Sequence, residues 1–584
     1  MIVLLFGYLI FAIVVLVVVN LLFANKGNSV LKTPSGSESQ PTLDASVLVE
    51  PSATSSISGP ISSPLTPPRA STPILAARPS KSETIKIVTV LMLGAFVAIL
   101  NQTIDNVAIP HQMLDFNVSA STVQWLVTAY MLVNGVLIPI SAFLMETFGT
   151  RKLLIVAMLF FSIGSFVCGL SPTFAVLVTG RVIQAVGSGI LLPLMTNVFL
   201  SIFPPESRGK AMGIMGIAMI FAPALGPTVG GWVVETYTWR LLFYAMVPIG
   251  IFDLILASIW MKNVLDRSFP KFDLSGAVLS TIGFGGLLYG VSEAGNKGWG
   301  NDIVLSALGI GVVALIIFVR RELRITVPLL ELRVFKYDMF TLTMVISAIV
   351  NMSMYAGMLL LPIYLQNIRN FTALQSGFLL LPGALIMGFM GPIAGAVFDR
   401  IGARLLSIIG LVVMTLTTWE FSKLTLGTMY SHIITLYIFR SFGMSLLLMP
   451  LMAAGLNQLP RVLNSHGTAM RNTVRQVAGS LGTAVLVTVM STRTTIHLAN
   501  YSNVVSAANP VITTQLSSLA QNLGFPPQAG PAVAVQTVYG IVAKQAAVDG
   551  INDAFIVATG ITVVALLLAF FIRRVFPPEA ESTD

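Results

Sequence analysis

Ala98-Ile-Leu-Asn-Gln-Thr-Ile-Asp-Asn-Val-Ala-Ile-Pro110 lies at the end of an apolar run that begins near Ile87. The run is long enough to cross a bilayer, since about 20 residues rising 1.5 Å each span the hydrocarbon. Yet Asn101, Gln102, Asp105 and Asn106 are set inside it. On a continuous helix the three-and-four spacing brings Asn101, Gln102 and Asp105 to one face. A carboxylate near mid-membrane costs roughly 2.5–3.5 kcal/mol on insertion scales, so it turns inward to a bundle interior or a wet cavity. This face is therefore expected to line a transport pathway, with Asp105 as its proton-binding group. Loss of water favours the protonated form of any carboxyl group. Against this stands a structural reading, in which Asp105 is held by an arginine or by polar neighbours near the end of its span.

The rest of the chain is equally apolar. Of 584 residues, 55% are hydrophobic and 10% charged, where soluble domains carry about 25% charged residues. The runs are continuous rather than alternating, which predicts an all-α membrane protein and not a barrel. The net charge of +9 follows from the loops and implies no nucleic acid. The single cysteine, Cys168, excludes an internal disulfide. The four histidines lack ligand spacing, so neither metal nor cofactor is expected. No phosphate-binding Gly-x4-Gly-Lys-Ser/Thr loop occurs, which argues against an ATP-driven pump or another enzyme.

Residues 1–24 read as an additional transmembrane helix. Residues 25–82, rich in Ser, Pro and Thr, read as a disordered cytoplasmic linker that cannot bury enough apolar surface to fold. Fourteen spans follow, near 87–110, 122–145, 152–170, 174–200, 210–234, 240–261, 273–292, 303–320, 339–365, 374–398, 404–422, 429–456, 468–491 and 551–573. Most of the 33 lysines and arginines fall in the linker and in loops around 151–152, 208–210, 262–271, 320–336 and 400–404. By the positive-inside rule these loops are cytoplasmic. The C-terminus is then cytoplasmic, and the first helix places Met1 outside. The long segment 493–550 is expected to be an outer loop.

Two turns repeat. In Ala142-Phe-Leu-Met-Glu146-Thr-Phe-Gly149-Thr-Arg151-Lys152 and Gly395-Ala-Val-Phe-Asp399-Arg400-Ile-Gly402-Ala-Arg404, an acid follows a small residue by four and a glycine follows the acid by three. A basic residue comes next. One copy would read as a charge cluster at a span end; two copies suggest a duplicated bundle. The fourth span carries Arg181 and Gln184. Arg181 either tunes the proton on Asp105 or is a structural arginine bonded to carbonyls or to Gln184. Asp253, deep in the sixth span, is a second proton or cation site, or else a solvated acid near the inner interface. Small residues crowd the fifth span through Gly226, Pro227, Gly230 and Gly231, which permits close helix approach and a bend. Gln124, Tyr130, Asn134, Asn351, Tyr355 and Gln366 are candidate cavity residues, since polar atoms in spans need partners.

Gly226-Pro227-x-x-Gly230-Gly231 resembles the antiporter signature of the major facilitator superfamily. The acid–glycine–arginine turns resemble its loop motif, and Arg181-x-x-Gln184 its fourth-span motif. Trp239-Arg240, Pro248-Ile249-Gly250, Phe272-Asp273-Leu-Ser-Gly276 and Asn472-Thr-Val-Arg475-Gln476 resemble the fourteen-span drug:proton antiporter branch. The chain departs from that pattern at Asn101, where the branch has an acid, and at Ala142, Glu146, Thr147 and Ala185. The resemblance implies a six-helix bundle over 84–261, two intervening helices over 262–337 and a second bundle over 338–575, before a cytoplasmic tail at 576–584. It implies export of hydrophobic or cationic amphipathic compounds from the cell in exchange for protons, by a monomer in the plasma membrane. A more selective exporter of a metabolite, amino acid derivative or lipid is the alternative.

Overall fold

The computed structural model describes residues 80–203, 222–223, 225–264, 273–325, 328–460, 463–504 and 530–573. The extra first helix, the linker up to residue 79, the basic turn at 208–210 and the tail lie outside them. Where Ser80 and Glu83 form a reciprocal capping box, α1 (Lys81–Ile104) begins. It does not run on to residue 110. Asp105–Val107 tightens into a 3₁₀ turn, and α2 (Ile109–Phe116) restarts with proline in its first turn. Pro110 explains the break, because its ring clashes with the carbonyl four residues back and it has no N–H to donate. The expected single face is corrected accordingly: Asn101 and Asp105 are fully buried, while Gln102 is only half-buried.

The N-terminal half continues with α3 (Trp125–Phe148), α4 (Thr150–Leu170), α5 (Phe174–Ile202), α6 (225–236) and α7 (Arg240–Trp260). Next comes a helical pair, α8 (Leu274–Lys297) and α9 (Asp302–Glu322). The C-terminal half comprises α10 (Asp338–Ile363), α11 (Ala373–Ile401), α12 (Ala403–Phe421), α13 (Tyr430–Leu456), α14 (Asn464–Val504) and α15 (Gly530–Ala569). Thirteen helices among the described residues are long and apolar enough to cross a membrane. The fifth expected span, 210–234, falls partly outside the described residues. Segment 493–550 is corrected from a loop to helix at both ends, as α14 reaches Val504 and α15 starts at Gly530. Arg493 meets Asp553 at 2.6 Å and Tyr501 meets Asp549 at 2.6 Å. These pairs join the two helices beyond their apolar parts.

The halves repeat one packing plan. Helix α5 packs on α1, α3 and α4, as α13 packs on α10, α11 and α12; likewise α7 lies on α1 and α4, as α15 lies on α10 and α12. The repeated turns share a geometry too. Gly149 and Gly402 have φ of 78° and 82°, a region that a side chain disfavours. Each ends one helix and starts the next. The halves meet where α14 runs along α3, and α8 packs on both. Asp273 caps α8 through the Gly276 N–H and takes a two-pronged hydrogen bond from Arg321. Burial opposes the charge on Asp273, but these partners outweigh it and hold the carboxyl below its usual range. Large apolar side chains such as Ile310, Val313 and Ile316 on α9 and Leu567 on α15 point outward, a surface that lipid accommodates.

Candidate functional site

The 3₁₀ turn presents Asp105 to the interior of the first half. Its Oδ1 accepts a hydrogen bond from Gln112 Nε2 at 2.7 Å. Its Oδ2 stands 3.5 Å from Arg181 Nη2, and both side chains are 1% exposed. Arg181 Nη1 donates to Gln184 Oε1 at 3.0 Å, and Gln184 Nε2 donates to Ser165 Oγ at 2.7 Å. The guanidinium also sits 4.3 Å from the centroid of the Tyr130 ring and 5.9 Å from that of Phe243. The two readings of Arg181 thus converge, as it contacts both the acid and Gln184. An isolated buried charge is strongly destabilising, and here the two side chains stand against one another in the interior.

Above this pair lies a polar patch. Ser188 donates to Asn134 Oδ1 at 2.9 Å. The Tyr130 hydroxyl sits beside Asn101, Asn134 and Ser188 without hydrogen-bond geometry to any described residue. Both polar atoms of Asn101 are likewise buried and unbonded among the described residues. Such groups cost about 1–3 kcal/mol each when unsatisfied.

The other candidates are dispersed. Gln102 buries Nε2 with no described partner. Gln124 donates to Ser292 at 2.9 Å, tying the start of α3 to α8. Asn351 donates to the Ser347 carbonyl at 2.6 Å, and Tyr355 rests on Gly479 of α14. Asp253 is fully buried, which overturns the reading of a solvated acid. It faces Gly94 of α1, where a β-carbon would stand 2.8 Å from Oδ2. Gly94 is three turns from Asp105, about 16 Å along the helix, so the two acids occupy separate places in one bundle.

The small-residue signature forms a seam between the halves. A β-carbon on Gly226 would overlap Thr103, and one on Gly230 would stand 2.6 Å from the Ile104 carbonyl. On the opposite side a β-carbon on Gly231 would overlap the Ala373 carbonyl, and one on Gly377 the Pro227 carbonyl. Helix α6 is thus wedged between the end of α1 and the start of α11. Glu235 accepts from the Leu374 N–H at 3.1 Å, and Gln366 donates to the Val107 carbonyl at 3.0 Å. The halves are closed together at this end, beside Asp105. His111 lies at the same closure, next to Gln366, Asp115 and Glu235; burial pushes its imidazole below the ordinary value.

In the first repeated turn, Arg151 Nη2 donates to the Ser258 carbonyl at 2.5 Å and its amide to Asn263. This ties the turn to the end of α7, with Glu146 exposed. Arg400 and Arg404 are exposed, and the side chain of Asp399 lies outside the described residues. Gln112, Ser165 and His111 were not singled out from sequence, because their roles depend on the break at Pro110 and on helix packing.

A bundle of membrane-length apolar helices, with one packing plan repeated in its two halves, has the architecture of a membrane transporter. Residues 91–483 match the Major Facilitator Superfamily model, and the chain belongs to that family. It is 52% identical over 493 residues to the uncharacterised MFS-type transporter YhcA of Bacillus subtilis, covering 84% of this chain and 93% of that protein. It is 38% identical over 487 residues to the lincomycin resistance protein LmrB of Bacillus subtilis, covering 83% and 95%. These relatives agree with the drug:proton antiporter branch read from the motifs. A bacterial homologue of the human lysosomal transporter Spinster, solved inward-facing and unoccupied, shares the fold with a TM-score of 0.58 at 15% identity, covering 85% of this chain and 98% of that one. The relatives are bacterial, which places the protein in a cell membrane.

Proposed function

We propose that the chain exports amphipathic, hydrophobic or cationic drugs from the cell in exchange for protons, with Asp105 as the group that takes and releases the proton. The observation that carries this reading is the buried Asp105–Arg181 contact beside the closure between the halves. A proton added to the Asp105 carboxylate removes its charge and leaves Arg181 charged, so the contact loses its ionic attraction. Arg181 then rests on Gln184 and the Tyr130 ring, and the neutral carboxyl no longer attracts a cationic group, so proton and cationic substrate exclude one another at Asp105. Loss of the proton restores the contact. Because Asp105 adjoins the turn that Gln366 grips across the seam, its protonation state is linked to whether that end is open or shut.

Charge in the loops supports placing the closed end outside and the C-terminus in the cytoplasm. A proton moving inward then gains roughly 2.3 kcal/mol per 100 mV. Asp253 is a second protonatable acid in the same half, and we assign it a supporting role in coupling. Dye efflux into inverted vesicles under an imposed pH gradient tests the reading, with wild type compared to Asp105→Asn. Wild type is expected to move rhodamine 6G with the gradient and the variant to lose that dependence. Undiminished gradient-driven transport by the variant would remove Asp105 from the mechanism. Transport of one compound alone, with dyes ignored, would replace a multidrug exporter by a selective one.

A further inference from the structure

Arg440 is the counterpart of Arg181 in the second half, and its surroundings differ in one respect that bears on substrate. It lies on α13, which packs on α10, α11 and α12 as α5 packs on α1, α3 and α4. Arg181 reaches from α5 to Asp105 just past the end of α1. Arg440 reaches from α13 to Ser353 of α10, with Nη2 donating to the Ser353 carbonyl at 2.6 Å and to its Oγ at 3.0 Å. Its Nη1 lies against Gly357, at a position where a β-carbon would overlap it. The residue is 2% exposed, and its Nε has no partner among the described residues.

Among the described residues no carboxylate stands against it. Among the described residues Arg440 takes part in no ion pair, while its counterpart pairs with Asp105. The sequence explains why: between Asp338 and Asp549 the only acids are Asp399 and Glu420. Both sit in the last turn of their helices, and Glu420 is held by Lys423 at 2.7 Å. Among the described residues, the interior of the second half therefore contains a buried guanidinium with no acid paired to it. Buried charges are otherwise paired, and a guanidinium fork matches an oxyanion.

We infer that Arg440, with the Ser353 hydroxyl, binds an oxyanion carried by the substrate, a carboxylate or sulfonate, so that the protein also handles anionic or zwitterionic compounds. This rests on the export reading above and adds a substrate class to it. The two halves then divide recognition. The first meets protons and cationic groups through Asp105, and the second meets anionic groups through Arg440.

The test uses purified full-length chain and two dyes on one xanthene frame, carboxyfluorescein as the anion and rhodamine 6G as the cation. Binding is read by fluorescence anisotropy, and transport after reconstitution by efflux. Wild type is expected to bind both. Arg440→Gln should weaken carboxyfluorescein at least about tenfold, the scale of one lost charge-assisted hydrogen bond, and leave rhodamine within about twofold. Arg440→Lys should recover part of the loss. Ser353→Asp supplies within the chain the acid that the second half lacks; it should abolish carboxyfluorescein binding with Arg440 still in place. On the unaltered chain, benzenesulfonate should displace carboxyfluorescein and spare rhodamine, a result that needs no variant to fold. Rhodamine bound without carboxyfluorescein, or equal weakening of both dyes in Arg440→Gln with carboxyfluorescein unaffected by Ser353→Asp, would overturn the inference and leave export intact. Failure of wild type to bind or move either dye would instead strike the export reading.

Discussion

Asp105 and Arg181, each 1% exposed, are coupled so closely that neither can be altered alone without leaving a charge in the interior. Removing one partner of such a pair costs about 3–5 kcal/mol, whereas replacing both by well-packed apolar groups is often neutral. Arg181→Met is therefore expected to lower the thermal midpoint in detergent, and adding Asp105→Leu to Arg181→Met to recover much of it. A double variant no more stable than Arg181→Met would show that the two groups do not form an energetic pair. The acid itself was legible in sequence, because a carboxylate inside an apolar run is conspicuous. Its donor Gln112 was not, since that contact exists only where Pro110 forces the chain to restart a helix. The separation of Asp253 from Asp105 was equally hidden, being set by which α1 residue α7 happens to face.

Among the elements, α6 and the turns carry the sharpest expectations. Gly377 admits the Pro227 carbonyl so closely that a larger residue must push α11 away. Gly377→Leu is expected to hold this end open, seen as faster labelling of a cysteine placed at the buried Val107, whose backbone carbonyl is kept, than in the otherwise unaltered chain. Equal labelling would mean the seam does not need the glycine. Gly149→Ala places a side chain at φ of 78° and ψ of 158°, so a loss of about 1–3 kcal/mol in stability is expected. His111, held neutral by burial at the same closure, sets a pH dependence. Its lowered value means the unfolded or opened chain binds the extra proton, so its contribution to closure is present above about pH 6.5 and lost as pH falls below it. Labelling at the seam, taken relative to a free thiol at the same pH, should rise on acidification and lose that rise in His111→Gln. The spans were legible from hydropathy, because runs of about 20 apolar residues have one explanation. The outer parts of α14 and α15 were not, since cross-helix pairs such as Arg493–Asp553 support helix where apolar content has ended.

For the molecule as a whole, the two acid–glycine–arginine turns foretold a duplicated bundle, and the matching packing of α5 and α13 bears that out. What the repeat did not reveal is its asymmetry among the described residues, where Arg181 stands in an ion pair and Arg440 in none. That difference needs the contacts of Ser353 and Asp105 and not merely the order of spans. The central claim is that substrate and proton exclude one another at Asp105, and proton release on binding measures it directly. Adding rhodamine 6G to weakly buffered wild-type protein in detergent should release protons, and Asp105→Asn should bind dye without releasing them. Equal release from both proteins would contradict the account.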